Sequence, residues 1–442
     1  MTTVKEQQMI QEQFQKRMDQ DELLNCMRCG FCLPTCPTYI DSGYQETHSP
    51  RGRIAVMKAV VDGLIEPDED VERSLNMCLG CRACEPVCPS GVKYGHLLEE
   101  ARDIINQNKK HSLPVRTVRK VVFEELFPHP NRMRTLTSLL GMYQRTGLQK
   151  MVHFSGVMKL FPSSLTTMEK VLPRVPTLKD MKNRPKYLSS EGTVKKKVAF
   201  FSGCLMDTMF MQTNDATMKL LQKAGCEIVI PSSQTCCGAL HGHSGEKDAA
   251  KDLAKRNIEA FEKLEVDFII TNAGGCGAFL IEYDHLLKND PSWSERAKKF
   301  VSKIKDISAI LVDLEFHKRN LNLPKQIITY QDSCHLRNVM KTASEPRILL
   351  QSIQGIEYCE MKEADRCCGS AGIYNIVESE MSMKILDYKM THVKSTEAKT
   401  IVTANPGCLL QMKLGIEREG LSDKMRAVHI VDLLLEAVGD RG

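Results

Sequence analysis

At 442 residues the chain is long enough for two to four domains of about 100–200 residues each, and its 60 Lys and Arg against 55 Asp and Glu leave a formal net charge of only +5. No run approaches about eighteen consecutive apolar residues, which excludes a helix that spans a bilayer unaided. The start, MTTVKEQQMI, has no positive segment leading into an apolar one, so a secretory signal is not expected; 18 cysteines then signal metal or redox chemistry in the cytoplasm rather than a disulfide framework.

The charge is unevenly spread. Residues 1–101 carry ten Lys/Arg against sixteen Asp/Glu, residues 102–197 twenty against six, and residues 198–442 thirty against thirty-three. The basic middle contains no nucleic-acid module, so no nucleic-acid partner is expected. It reads instead as a docking surface for a protein partner or for anionic lipid headgroups.

Taken in order, residues 3–24 place Val4, Met9, Ile10, Phe14, Met18 and Leu23 or Leu24 at helical intervals, predicting one amphipathic helix. Next come Cys26, Cys29, Cys32 and Cys36 before Pro37, and later Cys78, Cys81, Cys84 and Cys88 before Pro89. Both runs read C-x2-C-x2-C-x3-C-P, the pattern by which bacterial-type ferredoxins hold two clusters, the fourth cysteine of each run ligating the other one. Three thiolates within seven residues can gather on one tight loop around a cubane, and the fourth must arrive from elsewhere. Cys26, Cys29, Cys32 and Cys88 are therefore assigned to one 4Fe-4S cluster, and Cys78, Cys81, Cys84 and Cys36 to a second. Structural zinc also takes four cysteines but usually as two separated pairs. Arg28 and Arg82, inside the loops, either offset cluster charge or face solvent.

Between the runs, Ser49-Pro50 opens a predicted helix through Ile54, Val56, Met57, Val60 and Val61 that Asp62-Gly63 ends. A further helix is predicted from Tyr94 through Ile105. Residues 110–190 hold basic helical segments broken by Pro114, Pro128, Pro130, Pro162, Pro173, Pro176 and Pro185. They form a helical connector whose amphipathic faces also suit a partner or a membrane surface.

From Lys197 a strand and helix pattern occurs twice. The first copy has predicted strands at Val198–Phe201, Glu227–Ile230 and Phe268–Ile270, with Cys204, Cys236, Cys237 and Cys276; the second has strands at Ile327–Thr329, Ile356–Tyr358 and Thr400–Val402, with Cys334, Cys367, Cys368 and Cys408. Corresponding cysteines are 130 to 132 residues apart, which marks an internal duplication of parallel βαβ units. The thiols lie just past the carboxyl ends of strands, where open α/β sheets place ligands. Each set of four reads as a further cluster or a zinc site, with redox-active pairs and packing as the alternatives. Cys226 and Cys359, placed on strands and unmatched between copies, read as small buried hydrophobes. His241, His243, His335 and His429 lie near these sites, and a lone histidine is more often a satisfied polar residue than a ligand.

These segments together (Cys26-Met27-Arg28-Cys29, Cys36-Pro37-Thr38-Tyr39, Ser49-Pro50-Arg51-Gly52-Arg53, Cys78-Leu79-Gly80-Cys81, Cys88-Pro89-Ser90-Gly91 and the two Cys-Cys-Gly repeats) resemble the iron-sulfur subunit of bacterial glycolate oxidase, or glycolate dehydrogenase. The resemblance covers essentially the whole chain. It implies an electron-transfer subunit: an FAD-containing partner oxidises glycolate, a 2-hydroxy acid, to glyoxylate, and the clusters pass electrons toward a quinone-type acceptor. Related iron-sulfur subunits of anaerobic glycerol-3-phosphate dehydrogenase and D-lactate dehydrogenase are the alternatives. The Cys-Cys-Gly repeats also resemble heterodisulfide reductase, whose repeats end in C-x2-C; here Ala273 and Asn405 take the earlier cysteine position, leaving four thiols per repeat.

The fold class expected is thus multidomain: an α-helical ferredoxin domain with two 4Fe-4S clusters (1–108), a basic helical connector (109–196), and two duplicated α/β Cys-Cys-Gly domains (197–323 and 324–442). No G-x-G-x-x-G follows a strand, so the chain has no flavin or NAD site of its own. No catalytic residue is assigned to it. A thiol-disulfide reductase and a zinc-stabilised scaffold are the competing functional classes. The expected location is cytoplasmic, with peripheral association at the inner face of the cell membrane left open.

Overall fold

A computed structural model describes residues 3–155, 169 and 171–439. The first helix, Val4–Arg17, opens on a capping box in which the Thr3 side chain accepts from the Glu6 amide and the Glu6 carboxylate accepts from the Thr3 amide. It stops at Met18, whose backbone is extended, and a second helix, Gln20–Leu24, starts with the Asp19 side chain as its cap. The single helix predicted over 3–24 is therefore two, because a capping aspartate competes with continuation.

Helix Pro50–Val61 follows the prediction closely. Ser49 caps it by accepting from the Gly52 amide at 2.9 Å, Pro50 occupies the first turn, and Gly63 at φ +72° follows its end. Gly52 is required by packing: a Cβ there would lie 1.8 Å from the Glu46 carbonyl oxygen. With helices Glu69–Asn76 and Tyr94–Asn108 it closes one core around Phe14, Met57, Val60, Leu75, Leu98 and Ile104. Residues 3–108 contain no strand. The two cysteine loops are thus held between helices.

The connector supplies helices Leu113–Arg119, Pro130–Arg145, Leu148–Phe154 and Leu178–Lys182, with a π-helical run at Lys120–Leu126. The break expected at Pro162 lies outside the described residues. Before residue 197 the chain already enters the first sheet: β1 (Tyr187–Leu188) pairs antiparallel with β3 (Cys226–Val229), Tyr187 opposite Val229.

The remaining strands are β2 (Lys196–Phe200), β4 (Phe268–Thr271), β5 (Ile304–Asp306), β6 (Asn322–Gln331), β7 (Gln354–Tyr358), β8 (Thr400–Thr403) and β9 (Arg426–His429). The first sheet runs β1-β3-β2-β4-β5 and the second β7-β6-β8-β9, all neighbours parallel except β1 with β3. Apart from the β1 edge, both sheets have the order second, first, third, fourth. The duplication read from cysteine spacing is therefore a duplication of topology. Every predicted strand is present; β1, β5 and β9 went unpredicted because two to four residues with a charged or exposed member carry no period. One apolar core serves both copies, with Phe200, Ile228, Ile270 and Leu311 of the first meeting Tyr330, Val402, Ile430 and Leu433 of the second.

Candidate functional site

The two cysteine loops wind alike. Two residues after the first cysteine of each run stand Arg28 (φ +56°) and Gly80 (φ +62°), and four residues after it Gly30 (φ +90°) and Arg82 (φ +57°). A left-handed non-glycine residue costs about 1–2 kcal/mol, so the shared conformation is held by the rest of the loop. Cys26, Cys29, Cys32 and Cys88 all line one cavity, walled by Pro50, Ile54, Val92 and Tyr94. Cys84 also reaches it. The first loop thus meets the second run at Cys88 as well as at Cys84.

Cys36, Cys78 and Cys84 are buried and Cys81 is partly buried. Burial pushes the Cys84 thiol well above its ordinary range, and its neighbours Cys81, Cys78 and Cys36 push further. Cys78 is opposed by its surroundings: burial raises it, but the Arg53 and Arg102 guanidiniums, the Tyr94 hydroxyl at 3.5 Å and the Gly80 amide at 3.4 Å bring it below the ordinary thiol range. N–H and O–H donors to sulfur are what a cluster-ligating thiolate needs. These donor sets, soft thiolates in a buried pocket with hydrogen bonds to sulfur, fit iron-sulfur clusters.

Neither arginine singled out in the loops supplies that positive charge. Arg28 is exposed. Arg82 is buried, but it forms ion pairs with Glu85 and Glu282 and so is already neutralised. The sequence reading missed the guanidinium that matters here, Arg53, which lies fully buried (0% exposed) on helix Pro50–Val61.

In the duplicated half, Cys204 follows β2 and Cys276 lies on helix Gly274–Leu280 after β4; Cys334 begins helix Cys334–Asn338 after β6, and Cys408 lies on helix Pro406–Arg418 after β8. The fold brings each set of four together as a chain of thiol contacts. Cys236 meets Cys204 at 3.5 Å and also Cys237, which meets Cys276. In the second copy Cys367 meets Cys334 and Cys368, and Cys368 meets Cys408. Among the described residues no group of three or more His, Cys, Asp and Glu side chains is spaced to hold a metal ion directly. Cys226 is buried on β3 as expected, whereas Cys359 lies just past the end of β7.

The histidines have other partners. His241 Nε2 donates to the Phe123 carbonyl at 2.9 Å, His335 Nε2 to the Gly80 carbonyl at 3.0 Å, and His429 Nδ1 accepts from the Val431 amide. His243 Nδ1 meets Glu99 at 2.8 Å, and its ring stacks on His335 with centroids 5.2 Å apart. The copies differ in several buried charges, and one of these is a lysine. At the 132-residue offset that relates Cys276 to Cys408, fully buried Lys389 stands where the first copy has Asn257.

The thiol groups are neighbours. Leu79 and Cys81 of the second loop share an apolar cluster with Cys334 and Cys367. Cys276 in turn shares one with Cys368 and Cys408. Asn405, at the position of the missing fifth cysteine, accepts from the Gly275 amide of the other copy at 3.0 Å and donates to Cys408 Sγ at 3.7 Å.

Comparison with known proteins agrees with this layout. Residues 22–92 match the 4Fe-4S dicluster domain, residues 198–281 and 328–413 the cysteine-rich domain, and residues 114–172 the linker region of the glycolate oxidase iron-sulfur subunit. The chain is 72% identical to the probable glycolate oxidase iron-sulfur subunit of Bacillus subtilis, over 100% of both chains. It belongs to the glycolate oxidase iron-sulfur subunit family. The Escherichia coli glycolate oxidase iron-sulfur subunit is 31% identical over 95% of this chain and 96% of its own. Lactate utilization protein A of Halalkalibacterium halodurans is 33% identical over 54% of this chain and 96% of its own. A hypothetical protein from Helicobacter pylori shares the fold, with a TM-score of 0.56 and 12% identity over 97% of this chain and 74% of the other.

As a member of the glycolate oxidase iron-sulfur subunit family, the chain is the iron-sulfur component of an oxidoreductase. Substrate oxidation lies on a separate, flavin-containing subunit. No helix among the described residues is long and apolar enough to cross a membrane.

Proposed function

We propose that this subunit relays electrons from the oxidation of glycolate to glyoxylate toward a quinone-type acceptor through two 4Fe-4S clusters, one on Cys26, Cys29, Cys32 and Cys88 and the other on Cys36, Cys78, Cys81 and Cys84. The observation that carries this reading is the single cavity lined by Cys26, Cys29, Cys32 and, from the second run, Cys88. Bound clusters supply one-electron transfer. Glycolate gives up two electrons and two protons to the partner's flavin, and a quinone takes up two of each, so the relay carries electrons only. This chain's residues exclude water from the second loop and donate hydrogen bonds to the Cys78 sulfur.

Each Cys-Cys-Gly set, Cys204, Cys236, Cys237 and Cys276 or Cys334, Cys367, Cys368 and Cys408, holds a further iron-sulfur cluster or zinc. The sulfur contacts within each set support this. Anaerobic purification with iron, sulfide and zinc analysis tests both parts: about eight irons with equal sulfide means two cubanes alone, more iron or added zinc means filled Cys-Cys-Gly sites, and zinc without sulfide would refute the relay.

Exposed Leu113 (77%), Val118 (62%) and Met151 (68%) on the connector, with exposed Arg116 and Lys120 beside the first two, support peripheral membrane contact near the quinone pool. Sedimentation with anionic vesicles tests it. The partial likeness to lactate utilization protein A favours lactate as the second substrate reading. Cluster reduction by glycolate or by lactate through the co-purifying flavoprotein decides between them.

A further inference from the structure

Arg53 is fully buried, and among the described residues no carboxylate forms an ion pair with it. Its guanidinium donates from Nε to the Ser74 carbonyl at 2.7 Å, from Nη1 to the His48 carbonyl at 2.6 Å and from Nη2 to Thr38 Oγ1 at 3.2 Å. These acceptors are all neutral. A buried charge is normally paired, so the fold leaves this cation waiting for an anion. The charge-bearing groups it faces include the thiols of Cys78 and Cys36, the phenols of Tyr94 and Tyr374, which burial keeps neutral, and the His48 imidazole, which burial and then Arg53 itself disfavour as a cation. Cys78 and Cys36 come from different cysteine runs. Thr38, which accepts from Arg53, also contacts Cys36 Sγ at 3.3 Å. Arg51, two residues earlier, is instead committed to Glu46 and to the Arg28 carbonyl. Arg102, the other guanidinium near Cys78, donates to the Leu75, Asn76, Cys78 and His243 carbonyls and is only partly buried.

We propose that Arg53 is a positioning residue for the second cluster: its buried charge is the counter-ion of the thiolate-bound cluster on Cys36, Cys78, Cys81 and Cys84, raising that cluster's reduction potential, and its Thr38 contact sets the crossing ligand Cys36. The proposal rests on the ligand assignment above. A cluster held by four thiolates is net negative and gains one further negative charge when an electron enters, so a fixed cation beside it favours the reduced form. Arg53 keeps its charge throughout, so the step needs one electron and no proton.

The test is a redox titration followed by electron paramagnetic resonance on the full chain, with Arg53→Gln, Arg53→Lys and, to assign the first cluster's signal, Cys29→Ser. In Arg53→Gln the second cluster's affinity for an electron falls about tenfold or more, a shift of about 59 mV or more to negative potential for one electron, while the first cluster's signal is unmoved. Arg53→Lys, which keeps the charge, stays closer to the parent. If Arg53→Gln fails to hold the second cluster, retention of that cluster by Arg53→Lys supports the counter-ion role. An unshifted potential in Arg53→Gln, or equal shifts or equal cluster loss in both variants, overturns it. A parent protein with only one cubane refutes the ligand assignment itself, and this role with it.

Discussion

Asn338 donates from Nδ2 to the backbone carbonyl of Cys81 at 2.9 Å. A side chain four residues past Cys334 thus holds the loop that presents Cys81, and His335 and Tyr374 hold the same stretch through the Gly80 and Met77 carbonyls. The second Cys-Cys-Gly domain therefore acts as a wall of the cluster domain. Asn338→Ala should cost about 1 kcal/mol of stability and speed the loss of visible cluster absorbance in air. Thermal denaturation and bleaching rates check this, and unchanged bleaching would mean that the wall does not protect the loop.

Lys389 should distinguish the two Cys-Cys-Gly sites. It is buried, donates to the Ala364 and Glu363 carbonyls, and faces Cys368 and Cys367, while burial pushes its ammonium down to about 8. Its counterpart Asn257 is neutral and bonds the Cys236 carbonyl at 2.9 Å. Lys389→Met should lower metal content to the level of Cys334→Ser and leave the first site filled, as measured by metal analysis beside Cys204→Ser. Metal retained at the parent level would remove the lysine from the site.

Stability should depend on pH through Asp306, which caps helix Ile307–Asp313 by accepting from the Ser308 amide at 2.7 Å. Burial pushes its carboxyl up to about 7, against 3.8 for an unperturbed aspartate, and its Oδ2 has no partner among the described residues. The folded state therefore holds a proton that the unfolded chain has released. Stability falls as pH rises from about 3.8 to about 7 and is level above. Asp306→Asn keeps a capping oxygen and removes the penalty, so it should gain on the order of 1–4 kcal/mol at pH 8, with a smaller gain at pH 5. Thermal midpoints at the two pH values measure it; an equal gain at both would contradict the sign.

What the sequence made legible was whatever repeats or has a period. The doubled cysteine run matches two loops that wind alike, and the 130 to 132 residue offset gave two sheets of one topology. Ser49-Pro50 and Asp62-Gly63 marked a helix almost to the residue. Long-range pairing is invisible to such reading. Arg82 was equally ready to meet a cluster or solvent until the fold set Glu282, two hundred residues away, against it. Arg53 looked like one member of an Arg-Gly-Arg triplet, and only its burial without a carboxylate separates it from Arg51. Met18 broke the first helix because the Asp19 cap outweighs an uninterrupted apolar stripe.

The most direct measurement of the relay is coupled turnover with the flavin partner, comparing the parent with Cys26→Ser and Cys81→Ser. Each variant should lose reduction of a quinone or dye while flavin reduction by glycolate proceeds at the parent rate. Full coupled turnover in either variant would contradict electron transfer through the two clusters.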